Sequence, residues 1–204
     1  EGFRIIGYGN NCQLGKSAQN TVDINGDGKY DLVMGARYMS YASCTNCGVV
    51  YVIYGHSGPF VDITLHDFAS GPYGFRILGS AASGFAISLD VIGDVNADGR
   101  DDIIIGAPYM TVNAQDKAGK VYVVYGRAAA DAVDVIADSV DPLLTGYTIF
   151  GEEGLDQIGV SVCNLDDFND DGRPDYIIGM IKEADNSIGG AIVLFSSATP
   201  AHLN

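Results

Sequence analysis

Three short stretches of this chain carry oxygen-bearing side chains at the same four positions. They are Asp23, Asn25, Asp27 and Asp31; Asp94, Asn96, Asp98 and Asp102; and Asp167, Asn169, Asp171 and Asp175. Each reads Asp-x-Asn-x-Asp-Gly-x-x-Asp, with oxygens at loop positions 1, 3, 5 and 9 and glycine at 6. A hard cation that takes six to eight oxygen ligands suits such a set. Gly28, Gly99 and Gly172 allow the positive φ that curls the loop, so that the position-7 carbonyls of Lys29, Arg100 and Arg173 also point inward while their charged side chains extend to solvent. Calcium is expected in all three loops. Asp, Asn and Gly also build ordinary tight turns, and for one copy that reading competes. Three copies, starting at 23, 94 and 167 and so spaced by 71 and 73 residues, outweigh it.

The elements that must position these loops are strands. An EF-hand needs a Glu at position 12 and flanking helices. Here the loops run into Leu32-Val33-Met34, Ile103-Ile104-Ile105 and Tyr176-Ile177-Ile178, which read as buried strands. The repeat is longer than the loop. Gly2-Phe3-Arg4-Ile5-Ile6-Gly7 recurs at 74–79 and, as Gly-Tyr-Thr-Ile-Phe-Gly, at 146–151. The run Gly48 to Gly55 recurs at 119–126 and, more loosely, at 190–195. Each repeat therefore predicts one strand before the loop (14–22, 85–93, 158–165), one after it (31–35, 102–106, 175–179), the tyrosine-rich run third and the Gly-Phe-Arg-Ile run fourth. Four short strands per repeat describe sheets stacked radially, as in a propeller.

These residues resemble the FG-GAP repeats of integrin α-subunit propellers and their bacterial and protist relatives. The most specific match is the second calcium loop with Asp102-Ile103-Ile104-Ile105-Gly106-Ala107-Pro108, followed by Gly119-Lys120-Val121-Tyr122. The Phe-Gly element is degenerate (Leu14-Gly15, Phe85-Ala86, Ile158-Gly159), and Gly-Ala-Pro is kept only in the second repeat. The resemblance implies an all-β fold of three integrin-α-like (FG-GAP) β-propeller blades of four antiparallel strands, a partial or intermolecularly completed propeller. The whole of 1–204 reads as one such domain, with repeats at about 8–79, 80–151 and 152–204. Integrin-like propellers place calcium loops on one face and ligand contacts on the other. Carried over, the ligand face holds Tyr38, Tyr41, Tyr109 and Met110 with segments 8–13, 80–84 and 152–157.

A chain of 204 residues that is 47% hydrophobic can bury a sizeable core. No stretch is long and apolar enough for a transmembrane helix, and no basic, apolar leader is seen, so a signal peptide is expected to have been removed or to lie outside this sequence. The net charge is −15, and nine of the 26 acidic side chains sit at the proposed ligand positions. Three Ca²⁺ would bring the formal charge to −15 + 6 = −9. An anionic surface argues against nucleic acid and anionic membranes as partners.

Cys44-Thr45-Asn46-Cys47 lies in a polar loop, and a disulfide between Cys44 and Cys47 is the expected reading, in keeping with an extracellular or cell-surface protein. Cys163 reads as a buried small residue within a strand, while Cys12 is free or paired. None of His56, His66 and His202 has a recognisable catalytic partner, and no nucleotide loop or Ser-His-Asp spacing is present, so no enzymatic activity is expected. Ser196 to Pro200 reads as a linker or frayed end, and no Asn-x-Ser/Thr acceptor occurs.

Two functional classes follow. The first is a calcium-braced adhesion or binding scaffold that presents loops to a protein or glycan. Exposed tyrosine suits that role through its large area and polar tip, and the absence of Arg-Gly-Asp argues against an integrin ligand. The second is a building block that binds copies of itself in a ring or filament; a fragment of a larger propeller enzyme is a more distant reading. Closed propellers use about four to eight blades, and this chain encodes three. Residues 2–7 form a strand of the fourth type at the start, while the third repeat stops after its third strand. That strand either closes a ring onto the third repeat of its own chain or completes the third repeat of another copy, and pairing with a neighbouring molecule is the expectation. A third reading is that the sequence is an excised piece of a longer propeller.

Overall fold

The computed structural model describes residues 2–9, 12–42, 44–80, 83–182 and 188–196. Runs of β-branched and aromatic residues, bounded by turns, form short strands. In chain order they are β1 (Ile5–Ile6), β2 (Leu14–Val22), β3 (Asp31–Ala36), β4 (Val49–Ile53), β5 (Ile63–Thr64), β6 (Gly74–Leu78) and β7 (Leu89–Val91). There follow β8 (Ile103–Ala107), β9 (Lys120–Val124), β10 (Val135–Ile136), β11 (Gly146–Phe150), β12 (Ser161–Asp166), β13 (Asp175–Met180) and β14 (Gly190–Leu194).

The fold is all-β, and the strands make several sheets. β2, β3, β4 and β6 form the antiparallel body of the first, and β10 is added in parallel on the outer side of β6. The second sheet runs β7-β8-β9-β11, and the third has β12-β13-β14 among the described residues. The strand expected over 85–93 is shorter than the pattern suggests, because Phe85 and Ala86 form a turn in which Ala86 has φ 62°. Gly15 and Gly159, its counterparts, have φ 77° and 84°. The second residue of the degenerate Phe-Gly element is thus left-handed in every repeat, and Ala86 adopts this conformation despite its Cβ.

The third repeat is shifted by one residue from the alignment expected at 190–195. Ile103 pairs with Val124 in the second sheet and Tyr176 pairs with Leu194 in the third, so Leu194 rather than Phe195 takes the Val124 position. Phe195 then stands where Tyr54 and Tyr125 stand, and in every repeat an aromatic residue directly follows the third strand. Two adjacent glycines, Gly189 and Gly190, leave this register open in the sequence; the pairing with β13 decides it.

The N-terminal run makes a pairing that the repeat pattern does not predict. β1 bonds in parallel to β5 of its own chain, Ile5 opposite Ile63 and Ile6 opposite Thr64, and does not reach residues 190–195. The same bond occurs 72 residues on, where Ile77 faces Val135 and Leu78 faces Ile136. In both places the loop between the third and fourth strands of one repeat reaches the outer edge of the preceding fourth-type strand. An ion pair fastens each. Arg4 Nε lies 2.9 Å from Asp62 Oδ2, and Arg76 Nε lies 3.0 Å from Asp134 Oδ1, with a second guanidinium nitrogen on each carboxylate. β1 therefore has the outer-edge contacts of a fourth strand, and its other edge bonds to no described strand.

Cores lie between sheets. Val33, Val50, Val52, Phe75 and Ile77 of the first sheet pack on Ile103, Ile105 and Tyr122 of the second. Ile104, Val121 and Val123 then pack on Tyr176 and Ile178 of the third. Every residue of β8 is buried, because sheets cover both its faces. Cys163 was expected inside and is instead exposed, since it lies on a strand at the end of the stack. Among the described residues no helix is long and apolar enough to cross a membrane.

Burial alone would raise the Asp134 carboxyl pKa, but hydrogen bonds from Arg76 and Ser70 outweigh it and hold the group below its ordinary value. A depressed carboxyl contributes stability above the unfolded-state value of about 4, and the contribution is lost as pH falls through the folded-state value. Asp134→Asn should therefore cost about 1–2 kcal/mol at pH 7 and should flatten the loss of stability between pH 6 and pH 3. Denaturant melts across that range check both; an unchanged acid limb contradicts the clasp.

Candidate metal centre

Each Asp-rich loop joins the first strand of a sheet to the second, so all three lie at corresponding ends. Their hydrogen bonds repeat almost atom for atom. The position-5 N–H of Asp27, Asp98 and Asp171 donates to Oδ1 of Asp23, Asp94 and Asp167 at 3.0, 2.9 and 2.9 Å. It also donates to Oδ1 of Asn25, Asn96 and Asn169. The position-6 N–H of Gly28, Gly99 and Gly172 donates to the other oxygen of the position-1 carboxylate at 2.8, 2.7 and 2.8 Å. The position-7 N–H of Lys29, Arg100 and Arg173 donates to Oδ1 of the position-5 carboxylate. The glycines have φ of 79°, 84° and 84°, which a side chain would resist.

The position-9 aspartates do something else. Asp31, Asp102 and Asp175 are buried. One oxygen of each accepts the position-2 N–H, from Ile24, Val95 and Phe168 at 2.8, 2.9 and 3.1 Å. The other accepts the N–H just beyond the third strand, from Gly55, Gly126 and Ser196 at 2.8, 2.8 and 3.1 Å. Each carboxylate thus ties the loop, the start of the second strand and the exit of the third. The sequence pattern places these residues among the cation ligands; the structure shows them also stapling backbone.

The position-7 side chains were expected to extend to solvent, yet two fold back. Lys29 Nζ lies 3.0 Å from Asp27 Oδ2, and an Arg100 guanidinium nitrogen lies 3.4 Å from Asp98 Oδ2. With a carboxylate two residues away, the cation is drawn to it. Among the described residues no three Asp, Glu, His or Cys side chains converge as a cation cage. The donor chemistry nonetheless fits a hard cation. Each loop offers three carboxylates and an amide oxygen, and a carboxylate oxygen that accepts one N–H keeps a further lone pair. Burial, with the neighbouring Asp23 and Asp27 charges, pushes the Asp31 pKa up to about 6, and burial with Asp98 and Asp94 pushes Asp102 well up. The negative charge in these loops is under-compensated by protein groups alone.

Neighbouring loops are joined. Asp23 N–H donates to Asp101 Oδ2 at 2.7 Å, and Asp101 N–H donates back to the Asp23 carbonyl at 3.1 Å. Asp90 accepts from Asn164 N–H at 2.9 Å and links the second sheet to the third. Gln19, Asp90, Asp101, Asn164 and Asp166 line a polar cavity of about 550 Å³.

At the opposite ends of the sheets lie the residues read as a recognition face. Tyr109 is 42% exposed. Tyr38 is half-buried, with the Arg37 guanidinium 4.4 Å from its ring centre. Tyr41 is half-buried and its hydroxyl donates to the Gly79 carbonyl. Met110 is 8% exposed and packs in the core between the first and second sheets, so it does not present itself to a ligand. Cys44 and Cys47 beside them form a disulfide with Cα atoms 5.9 Å apart. Residues 10–11 and 81–82 of the predicted face, the tail from 197 and His202 lie outside the described residues.

Sequence reasoning missed the Arg4–Asp62 and Arg76–Asp134 clasps. The signal was present, an Arg in the repeated Gly-Phe-Arg-Ile run and an Asp 58 residues later in both copies.

Residues 85–124 match the family model for the FG-GAP repeat. The chain is 32% identical over 161 residues to integrin alpha-7 of Mus musculus, covering 79% of this chain and 12% of that protein. It is 30% identical over 182 residues to integrin alpha-7 of Homo sapiens, covering 89% and 13%. Phosphatidylinositol-glycan-specific phospholipase D of Bos taurus is 32% identical over 165 residues, covering 79% and 18%. The chain thus spans less than a fifth of the length of these relatives.

The two kinds of aspartate should separate on substitution. Asp98→Ala should weaken metal binding at one loop while costing less than about 1 kcal/mol in chelator, because its contacts are exposed. Asp102→Asn turns an amide NH₂ toward a buried backbone donor and should cost roughly 2–4 kcal/mol with or without metal. Melts and calcium titrations of both variants check this; equal behaviour contradicts the division of roles.

Proposed function

This chain carries an FG-GAP repeat and is homologous to integrin alpha subunits over most of its length, and from that premise we propose that it is a calcium-braced extracellular scaffold for adhesion or binding. The observation that carries the reading is the threefold recurrence of one loop, with the same donor set and hydrogen-bond pattern, at corresponding ends of successive sheets. Three repeats, at about 8–79, 80–151 and 152–204, serve as three propeller blades. Asp23, Asn25, Asp27 and Asp31, with the Lys29 carbonyl, hold the first Ca²⁺. Asp94, Asn96, Asp98 and Asp102, with the Arg100 carbonyl, hold the second. Asp167, Asn169, Asp171 and Asp175, with the Arg173 carbonyl, hold the third. The ion supplies the positive charge that each loop lacks and so fixes the turn in which the staple aspartate sits. Tyr38, Tyr41 and Tyr109, at the far ends of the sheets, offer contact area to a protein or glycan partner.

The kinship with a phospholipase D shows that such repeats occur in proteins named as enzymes. We read this chain as the scaffold rather than the catalyst, because the acidic side chains of its loops are committed to backbone and cation.

Sites of this composition bind calcium with Kd of about 10⁻³ M or somewhat tighter in extracellular modules. Three of them at a tenfold excess over Kd contribute about 4 kcal/mol together, which for this length is a rise in Tm of roughly 8–16 °C. Calorimetric melts in chelator and in 10 mM calcium measure it. A Tm that does not move contradicts the reading.

A further inference from the structure

Asn25-Gly26, in the first Asp-rich loop, is the one Asn-Gly pair of the 204 residues. We propose that it is a site of spontaneous modification which the folded loop holds shut, so that opening of the loop is recorded covalently. The chemistry is deamidation. The backbone nitrogen of Gly26 loses its proton to water and bonds to the side-chain Cγ of Asn25. The bond from Cγ to the amide nitrogen breaks, and that nitrogen leaves as ammonia after taking a proton from water. One further water molecule opens the five-membered imide. Attack on its side-chain carbonyl gives aspartate at position 25, and attack on its main-chain carbonyl gives isoaspartate. Water is the sole co-reactant.

Sequence makes this loop the reactive one of the three. Ring closure needs an unhindered nitrogen and a backbone free to rotate, and glycine has no Cβ to obstruct either. The equivalent Asn96 and Asn169 are followed by Ala97 and Asp170, whose side chains shield the attacking nitrogen.

The fold opposes the reaction at the same place. Gly26 N–H donates to Asp23 Oδ1 at 2.8 Å, and the Asn25 side-chain oxygen accepts the Asp27 N–H at 2.9 Å. Nucleophile and electrophile are each held in another bond. Asn25 is only 7% exposed. Gly26 lies against the second loop, where a Cβ on it would stand 3.3 Å from Arg100 Cγ. Asp23 is tied to that loop as well, through its paired bonds with Asp101. For the Gly26 nitrogen to turn onto Cγ these contacts must part together, so cyclisation waits on a local opening.

Either product changes the loop. Aspartate at position 25 adds a fourth carboxylate, which strengthens cation binding through ligand charge and adds repulsion where no cation is held. Isoaspartate inserts a methylene into the main chain before Gly26. It displaces the N–H groups of Gly26, Asp27 and Gly28, which all converge on the Asp23 carboxylate. The loop cannot then re-form as it was.

Peptide mapping by mass spectrometry, with isoaspartate separated chromatographically, tests this on the full chain at neutral pH and physiological temperature. In chelator, position 25 should convert while Asn96 and Asn169 keep their amides. Conversion should be about tenfold or more slower than in a free peptide of residues 21–31, which corresponds to a loop-opening free energy of at least about 1.4 kcal/mol. Equal rates in the folded chain and the peptide overturn the proposal. So does a peptide that does not convert, or conversion at Asn96 or Asn169 as fast as at Asn25. Only one further arm rests on the calcium reading. Calcium at about ten times Kd leaves about a tenth of the loops metal-free and should slow conversion about tenfold again. A rate indifferent to calcium contradicts that reading, while the difference between folded chain and peptide decides the guarded site by itself.

Discussion

A buried carboxylate that accepts one hydrogen bond from its own loop and one from the end of another strand holds each repeat of this protein together. Asp31, Asp102 and Asp175 each join three pieces of chain that sequence keeps apart. Removing such a group strands two buried N–H donors, so the loop cannot be rebuilt as a plain turn without loss. The cost of burying the charge is visible in the raised pKa values of Asp31 and Asp102. On the proposed reading, a divalent cation held by the carboxylates at positions 1 and 5 would offset that cost by supplying counter-charge.

Sheets held in this way still have to be stacked, and stacking uses a second repeated device. The loop after each third strand crosses to the preceding fourth-type strand, adds a short parallel strand and closes an Arg–Asp pair. Arg4 with Asp62 and Arg76 with Asp134 are two instances of one joint. Between the joints the cores form from both faces of the central strands, which is why β4 and β8 are buried throughout. The stack therefore transmits order from sheet to sheet.

Much of this was legible in the residues. The loop oxygens, the glycine at position 6, the strands on either side and the homology all follow from pattern and spacing, because each is local in sequence. Other features depend on pairing across strands. The register of β14 is ambiguous by one residue at Gly189-Gly190 until β13 is laid beside it. Met110 follows Tyr109 in a polar-looking loop, yet it turns into the core because the second sheet packs there. Lys29 and Arg100 fold onto their neighbouring carboxylates, a choice made by electrostatics within the turn. Cys163 is exposed because its strand stands at an end of the stack. The backbone-stapling role of the position-9 aspartate could not be read at all, since its second partner lies 24 residues further on in the first two repeats and 21 in the third.

The central claim is that three equivalent loops each complete themselves with one calcium ion. Equilibrium dialysis against radioactive calcium counts the ions directly. The account predicts saturation at three per chain, falling to two in Asp98→Ala. Saturation below one ion per chain, or uptake that stays linear with no saturation, would contradict it.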